Sequence, residues 1–198
     1  MVSRKNLNKK FALISVFDKK NLRYLCSNLN KHNYNFISSG STGAKIRAMG
    51  FKCKDLSKIT KFKEMFNGRV KTLNQLIYSS LLYIRNDKYH EKQFQSLNFP
   101  KIDIVVVNLY PFEKYLNSEN EKIIEMIDIG GPSLLRAASK NYRYITPILS
   151  LEDYKKLINN LNKNSGNTDI RFRKRMAHKV FEETSKYDKI IAKWLNEN

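Results

Sequence analysis

Short apolar runs, each bounded by polar or charged residues, recur along the first three quarters of the chain. The most continuous are 11–16 (FALISV) and 102–109 (IDIVVVNL). Runs of this length without strict alternation are typical of strands that are buried on both faces of a sheet. Shorter runs predict further strands at 35–38, 51–54 and 144–149.

Segments with apolar residues at helical spacing separate these runs. The leucines in 21–31 recur every three or four residues and predict a helix, and a second helix is predicted from near Thr42. Another is predicted over 130–140, where Gly-Gly-Pro stands at the start and the first helical turn tolerates proline. Strands that alternate with helices predict an α/β fold in three layers, with a mainly parallel central sheet.

The last quarter of the chain is helical in pattern. A helix is predicted at 153–164, a turn at 163–167, and one long helix at 169–196. The predicted apolar face of the long helix consists of Met176, Val180, Phe181, Ile190, Ile191 and Trp194. We therefore expect a single domain, in which 1–150 form the α/β part and 151–198 a helical segment that completes it.

Composition narrows the possible classes of protein. Hydrophobic residues make up 41% of the 198 residues, enough for a core, and no apolar run is long enough to span a membrane. Because no signal-peptide pattern is present either, we expect a cytoplasmic protein with no membrane partner. The formal net charge of +19 attracts polyanions, but the 37 lysines and arginines are spread along the chain. Non-specific contact with nucleic acid stays open, whereas a dedicated nucleic-acid function is not expected.

Side chains that commonly bind metals are few and scattered. Cys26 and Cys53 form no ligand box, and we interpret them as buried, reduced thiols. The three histidines lack the spacing of a zinc site, so no metal is expected.

Polar residues follow the predicted strands, at the edge where parallel α/β sheets bind their ligands. They lie at 18–20, 38–42, 108–111 and 128–131. The loop 38–42 (SSGST) precedes a helix, whose first amides and nearby hydroxyls can hold a phosphate. An ordinary turn with Thr42 as the helix cap explains the same residues, so both interpretations stay open at this point.

Five segments together resemble one enzyme family. They are 12–19 (ALISVFDK), 38–42 (SSGST), 68–73 (GRVKTL), 107–112 (VNLYPF) and 127–141 (IDIGGPSLLRAASKN). In this order they are similar to the N-terminal domain of the bifunctional purine enzyme AICAR transformylase/IMP cyclohydrolase. The pattern at 169–194 resembles the helical segment that closes that domain, so the resemblance covers nearly the whole chain.

The resemblance implies a methylglyoxal-synthase-like fold, a cytosolic homodimer, and no metal or cofactor. The implied activity is that of an IMP cyclohydrolase, which closes the ring of formyl-AICAR with loss of water to make IMP in purine biosynthesis. The family's folate-dependent transformylase domain has no counterpart in the chain. We therefore expect formyl transfer to require a separate AICAR transformylase as a partner.

The matching segments also imply roles for individual residues. The resemblance assigns catalysis to Lys71, Tyr110, Asp128 and Lys140. It assigns substrate binding to Lys19, Ser39, Gly40, Ser41, Thr42, Arg69, Thr72, Asn108 and Ile129. Taken singly, Asp128 is also explained as a helix cap, and Tyr110 as the residue that closes the central strand.

The chain departs from the family at three places. Phe17 stands where the family usually has serine, Ser41 replaces a second glycine, and 74–80 (NQLIYSS) lacks the family's His-Pro and later histidine. Two other hypotheses therefore remain. One is a different phosphate-handling enzyme of the same fold, such as methylglyoxal synthase, which the segments VNLYPF and IDIGGP disfavour. The other is a nucleotide- or RNA-binding protein with weak or lost catalysis.

Overall fold

The computed structural model describes residues 9–197, and these contain one five-stranded sheet. Its strands are β1 (Lys10–Val16), β2 (Tyr34–Ser38), β3 (Cys53–Asp55), β4 (Ile102–Asn108) and β5 (Thr146–Ile148). The spatial order is β3-β2-β1-β4-β5, and every neighbouring pair is parallel. The predicted α/β fold with a parallel central sheet is confirmed.

Side chains of the central strands alternate between two separate cores. On β1, Phe11 and Leu13 face one core, whereas Ala12 and Ile14 face the other. The neighbouring β4 divides its apolar residues between the same two cores. Full burial of each leucine or isoleucine contributes about 2 kcal/mol to stability. Because both faces of these strands are buried, their sequences are continuous apolar runs.

Nine α-helices in the described part of the chain cover the sheet. They are α1 (Leu22–Lys31), α2 (Gly40–Ala48), α3 (Leu56–Thr60), α4 (Gln75–Leu82), α5 (Lys88–Ser96), α6 (Asn120–Glu125), α7 (Gly130–Lys140), α8 (Glu152–Lys163) and α9 (Ile170–Glu197). Helices α1, α2 and α8 pack on one face, and α4, α5 and α7 pack on the other. The three layers expected from the sequence are therefore present.

The long helix α9 joins both faces of the molecule. Phe172 and Met176 belong to the core beneath α1 and α8, and Val180 belongs to the core beneath α7. Farther along, Tyr187 and Trp194 enclose a third small core with Phe112. Among the described helices, none combines the length and the apolarity that crossing a bilayer requires.

A buried carboxylate holds α8 against α9. Asp153 is fully buried, and its oxygens accept hydrogen bonds from Lys179 Nζ at 2.7 Å and Ser150 Oγ at 2.8 Å. Burial raises the pKa of Asp153, but the hydrogen bonds from Lys179 and Ser150 outweigh it, so the net pKa is lowered. Because Asp153 is buried and Lys179 lies on α9, this ion pair links the two helices, and loss of Lys179 would remove the shortest charged contact of a buried carboxylate.

Several boundaries differ from the sequence-based expectations. Helix α2 begins at Gly40 rather than near Thr42, so Thr42 is not its cap. Strand β5 has three residues instead of 144–149, because the amides of Tyr144 and Ile145 turn back to Asn141. Phe181 is 41% exposed, so its expected place on the apolar face of α9 was wrong.

The two cysteines lie in or beside the core as free thiols. Cys26 is buried, as expected, whereas Cys53 is only partly buried. Burial raises the pKa of Cys26 to about 12 and that of Cys53 to about 11. Both thiols are therefore protonated at neutral pH and are poor nucleophiles.

Candidate active site

A cavity of about 1010 Å³ opens at the carboxyl edge of the sheet. The ends of β1 and β4, the start of α2, the 67–73 loop and the 127–131 loop form its walls. Of the thirteen residues predicted from the sequence, those that line it are Lys19, Ser39, Ser41, Thr42, Arg69, Lys71, Thr72, Asn108, Tyr110, Asp128 and Ile129. The segments that carry the resemblance thus meet in space.

The start of α2 forms one end of the cavity. Ser39 is extended and Gly40 has a positive φ of 50°, so the chain turns sharply into the helix. The first amides of a helix have no acceptor within it, and the helix dipole favours an anion beside them. This end of the cavity is therefore suited to a phosphate.

Thr42 anchors that helix to the sheet. Its hydroxyl donates to the Val16 carbonyl at 3.0 Å and accepts from the Val16 amide at 3.3 Å, and the side chain is buried. The hydroxyl is therefore engaged within the protein, although Thr42 still lines the cavity. Thr42 therefore does not cap the helix, as the sequence alone allowed, but links β1 to α2.

Lys71 reaches the same end of the cavity from the opposite wall. Its ammonium lies directly against Gly40, in the space that a Cβ at position 40 would occupy. The ammonium is 3.7 Å from Glu64, and Arg69 lies 2.9 Å from Glu125. All four side chains are at least 31% exposed, and such exposed pairs contribute little. An anion that enters the cavity can therefore replace Glu64 and Glu125 as the partner of the two cations.

Asn108 fixes the loop that leaves β1. Its Oδ1 accepts from the amides of Phe17 at 2.6 Å and Asp18 at 3.0 Å, and its Nδ2 donates to the Asp18 carbonyl at 2.9 Å. The Phe17 ring, which replaces the family's serine, packs 5.0 Å from the Tyr110 ring at an interplanar angle of 55°. The departure at Phe17 thus gives Tyr110 an aromatic neighbour.

Asp128 contacts the first turn of α7 and lines the cavity. The cap of α7 is Ile129, one residue later than the sequence suggested, but Asp128 Oδ1 accepts from the Gly131 amide in the first turn at 2.8 Å and also lines the cavity. Burial raises the pKa of Asp128, and the Gly131 and Tyr110 amides oppose that rise only in part. Burial, followed by the Asp128 charge, raises the pKa of Tyr110, so this phenol stays protonated and can donate a hydrogen bond.

Tyr187 supports Asp128 from behind and was not predicted from the sequence. Its hydroxyl accepts from the Asp128 amide at 2.8 Å and donates to the Met126 carbonyl at 2.9 Å. Tyr187 lies 59 residues away on α9 and is buried. A tyrosine on the apolar side of an amphipathic helix was the only signal for this residue.

Lys140 lies apart from the other predicted catalytic residues. It ends α7, whereas Gly130 at the start of that helix lines the cavity. Ten residues of α-helix span about 15 Å, and Lys140 is exposed at the far end. The cavity therefore brings together Lys71, Tyr110 and Asp128 but not Lys140, whose assigned role stays a prediction.

Fold and cavity define a class: a three-layer α/β protein with a cationic cleft at the carboxyl edge of a parallel sheet. The chain belongs to the MGS-like domain family, whose sequence profile matches residues 21–133, more than half of its length. A second profile, described as AICARFT/IMPCHase bienzyme, matches residues 138–198.

Relatives with similar sequences share one description. A "Bifunctional purine biosynthesis protein PurH" of Ruminiclostridium cellulolyticum is 44% identical over 191 residues, covering 95% of this chain and 37% of that protein. The one of Magnetococcus marinus is 42% identical over 190 residues, covering 94% of this chain and 36% of that protein. The chain thus spans little more than a third of the length of these relatives.

A solved structure supports the fold independently. The one described as "Crystal structure of ForH" superposes with a TM-score of 0.81 at 24% identity. The superposition covers 94% of this chain and 98% of that one. At this identity the likeness bears on the fold alone.

The environment of Asp128 generates a prediction about stability. Because its folded-state pKa is raised, ionising Asp128 costs stability, and that cost is absent below the ordinary aspartate pKa of about 3.9 and complete above the folded-state pKa. We expect Asp128→Asn to be more stable than the parent at neutral pH, with the difference vanishing near pH ~4. Urea unfolding at the two pH values measures this.

Asp55 provides a control of opposite sign. The Ser57 hydroxyl lowers the pKa of Asp55, so Asp55→Asn should be less stable than the parent at neutral pH and approach it in acid. If Asp128→Asn were also destabilised at neutral pH, the account of a buried, costly carboxylate would be wrong.

Proposed function

We propose that the chain is an IMP cyclohydrolase, which closes formyl-AICAR to IMP with loss of water. One observation carries the proposal: Lys71, Tyr110 and Asp128 converge on one cavity beside the start of α2. Membership in the MGS-like domain family and the similarity to PurH proteins support it. Methylglyoxal synthase chemistry gains no comparable support, because residues 138–198 match the AICARFT/IMPCHase profile.

The proposed reaction depends more on holding the substrate in the reactive conformation than on a strong acid, base or nucleophile in the protein. The attacking carboxamide nitrogen and the formamide carbon belong to the same molecule, so the protein must hold one rotamer and stabilise the oxyanion of the adduct. A phosphate held at the start of α2 supplies binding energy away from the reacting atoms. The cavity, at about 1010 Å³, has room for a mononucleotide.

Three side chains divide the chemistry in this proposal. The Lys71 ammonium stabilises negative charge as it develops on the formyl oxygen. Tyr110, kept protonated by its raised pKa, donates a hydrogen bond to the same intermediate. Asp128 orients the carboxamide nitrogen and accepts the proton that this nitrogen loses on attack, and its raised pKa makes it a stronger base than an exposed aspartate. The departing oxygen takes up that proton and the formamide N–H proton and leaves as water.

The proposal extends to the setting of the enzyme. We propose a homodimer in the cytoplasm, acting next to an AICAR transformylase activity that supplies formyl-AICAR. The relatives are described as bifunctional, which supports a functional pairing of the two activities. The 38–42 loop departs from the family at Ser41, which is exposed on the cavity wall and adds a hydroxyl there.

The direct experiment follows IMP formation by absorbance after formyl-AICAR is added to the purified chain. We expect turnover without metal or folate, and no change on addition of a chelator. A well-folded chain that binds IMP but gives no turnover would instead support the nucleotide-binding alternative and contradict the proposal.

Substitution of two neighbouring cations, Lys71 and Arg69, should distinguish an effect on turnover from an effect on binding. Lys71→Ala should lower kcat by roughly 10²–10³-fold and change the IMP dissociation constant much less, because it removes a charge used mainly in the transition state. Arg69→Ala should mainly weaken IMP binding, because a guanidinium fork suits a phosphate. Both constants are measured beside the parent.

Lys63→Ala is the matched control, since Lys63 is exposed in the same segment and does not line the cavity. It should keep the parental kcat and dissociation constant. A parental kcat in Lys71→Ala would show that this residue has been assigned the wrong role.

A further inference from the structure

A second cavity, of about 360 Å³, lies at the opposite edge of the sheet. We call it the amino-edge cavity, and its charged lining residues are Lys9, Lys10, Arg85, Lys101, Asp103 and Arg173. Strand β1 runs from Lys10 in this cavity to Val16 in the candidate active site. Seven strand residues span about 20 Å, so the two cavities are separate.

The single carboxylate among these charged residues is already engaged. Asp103 accepts from Arg85 Nη1 at 2.8 Å and from the Phe11 amide at 3.0 Å. It therefore balances Arg85 and leaves the remaining four cations of the cavity in excess.

Arg173 is held in place by neutral groups. Its guanidinium donates to the carbonyls of Tyr142 and Arg143, each at 2.9 Å, and to the Thr168 carbonyl. Burial, followed by the positive charge of Arg85, lowers the pKa of Arg173, and the nearby Asp169 offsets this only in part. The guanidinium is thus fixed in position but not neutralised.

Arg85 retains an unused donor. Its Nη2 donates to the Ile102 carbonyl at 2.6 Å, whereas its Nε is buried without a hydrogen-bond partner among the described residues. A buried donor without an acceptor is unfavourable, so the Arg85 side chain, which lines the cavity, carries a polar group that the described residues leave unsatisfied.

We propose that the amino-edge cavity binds a small phosphorylated anion with at least two negative charges. Two guanidinium groups and three lysines favour phosphate oxygens, which accept bidentate, charge-assisted hydrogen bonds. The size and concavity of the site favour a small molecule over an extended polyanion, whose cationic footprint would run along a face. This anion site is distinct from the proposed cyclohydrolase site and does not depend on it.

The test uses inorganic pyrophosphate as the probe and the whole chain in solution. Backbone amide resonances of Asn167 and Thr168 report on the amino-edge cavity, and those of Ser41 and Thr42 report on the other cavity. We expect a saturable shift at Asn167 and Thr168. Lys101→Glu should weaken this binding by roughly tenfold or more, and Lys101→Gln by less.

Lys155→Glu is the matched control, because it makes the same change in net charge at an exposed position on α8. It should leave the dissociation constant close to that of the parent, and amide spectra of all variants should show the parental fold.

Three results would overturn the proposal. The first is an absence of saturable shifts at Asn167 and Thr168. The second is equal weakening by Lys101→Glu and Lys155→Glu, which would indicate general charge attraction. The third is a mixed-sequence oligoribonucleotide that shifts the same amides at lower concentration than pyrophosphate, which would assign the surface to nucleic acid.

Discussion

The parallel pairing of β1 with β4 is the constraint on which the candidate site depends. Val16 pairs with Asn108, so the two strands end side by side and release their following loops at one edge. The Asn108 side chain then holds the backbone of Phe17 and Asp18 by three hydrogen bonds. Because Thr42 ties the start of α2 to Val16, the helix amides arrive at the same edge. The site is therefore a consequence of strand direction as much as of its own side chains.

The carboxyl edge of the sheet holds charged groups whose burial or poor pairing is unfavourable, and contacts elsewhere in the fold hold them in place. Asp128 is buried with a raised pKa, and two cations face the cavity with only exposed carboxylates for partners. The rest of the fold supplies rigidity: Tyr187 fixes the backbone at Asp128, and the buried Asp153–Lys179 contact fixes α9, the helix that carries Tyr187. Charged groups that are held in position before substrate binds are typical of sites that stabilise charge developing in a reaction.

The sequence allowed prediction of features that depend on local pattern, and not those set by tertiary contact. Strands β1 and β4 and the start of α7 were predictable, because a buried parallel strand needs a continuous apolar run and Gly-Gly-Pro suits a first helical turn. The resemblance correctly indicated Lys71, Tyr110 and Asp128 as residues that lie in one cavity. It did not foresee that the Thr42 hydroxyl bonds to β1, that Tyr187 supports Asp128, or that Lys140 ends α7 far from the cavity, since each depends on contacts across long stretches of sequence.

The central claim is that the position of Lys71 against Gly40 is its working position. Gly40 and Gly50 both have positive φ, so alanine at either costs about 1–2 kcal/mol of backbone strain. A Cβ at position 40 meets Lys71 Nζ, whereas a Cβ at position 50 would point into open space among the described residues. The decisive measurement is therefore the turnover of formyl-AICAR by Gly40→Ala beside Gly50→Ala. The account predicts roughly tenfold or greater loss in Gly40→Ala alone, and equal turnover in the two variants would contradict it.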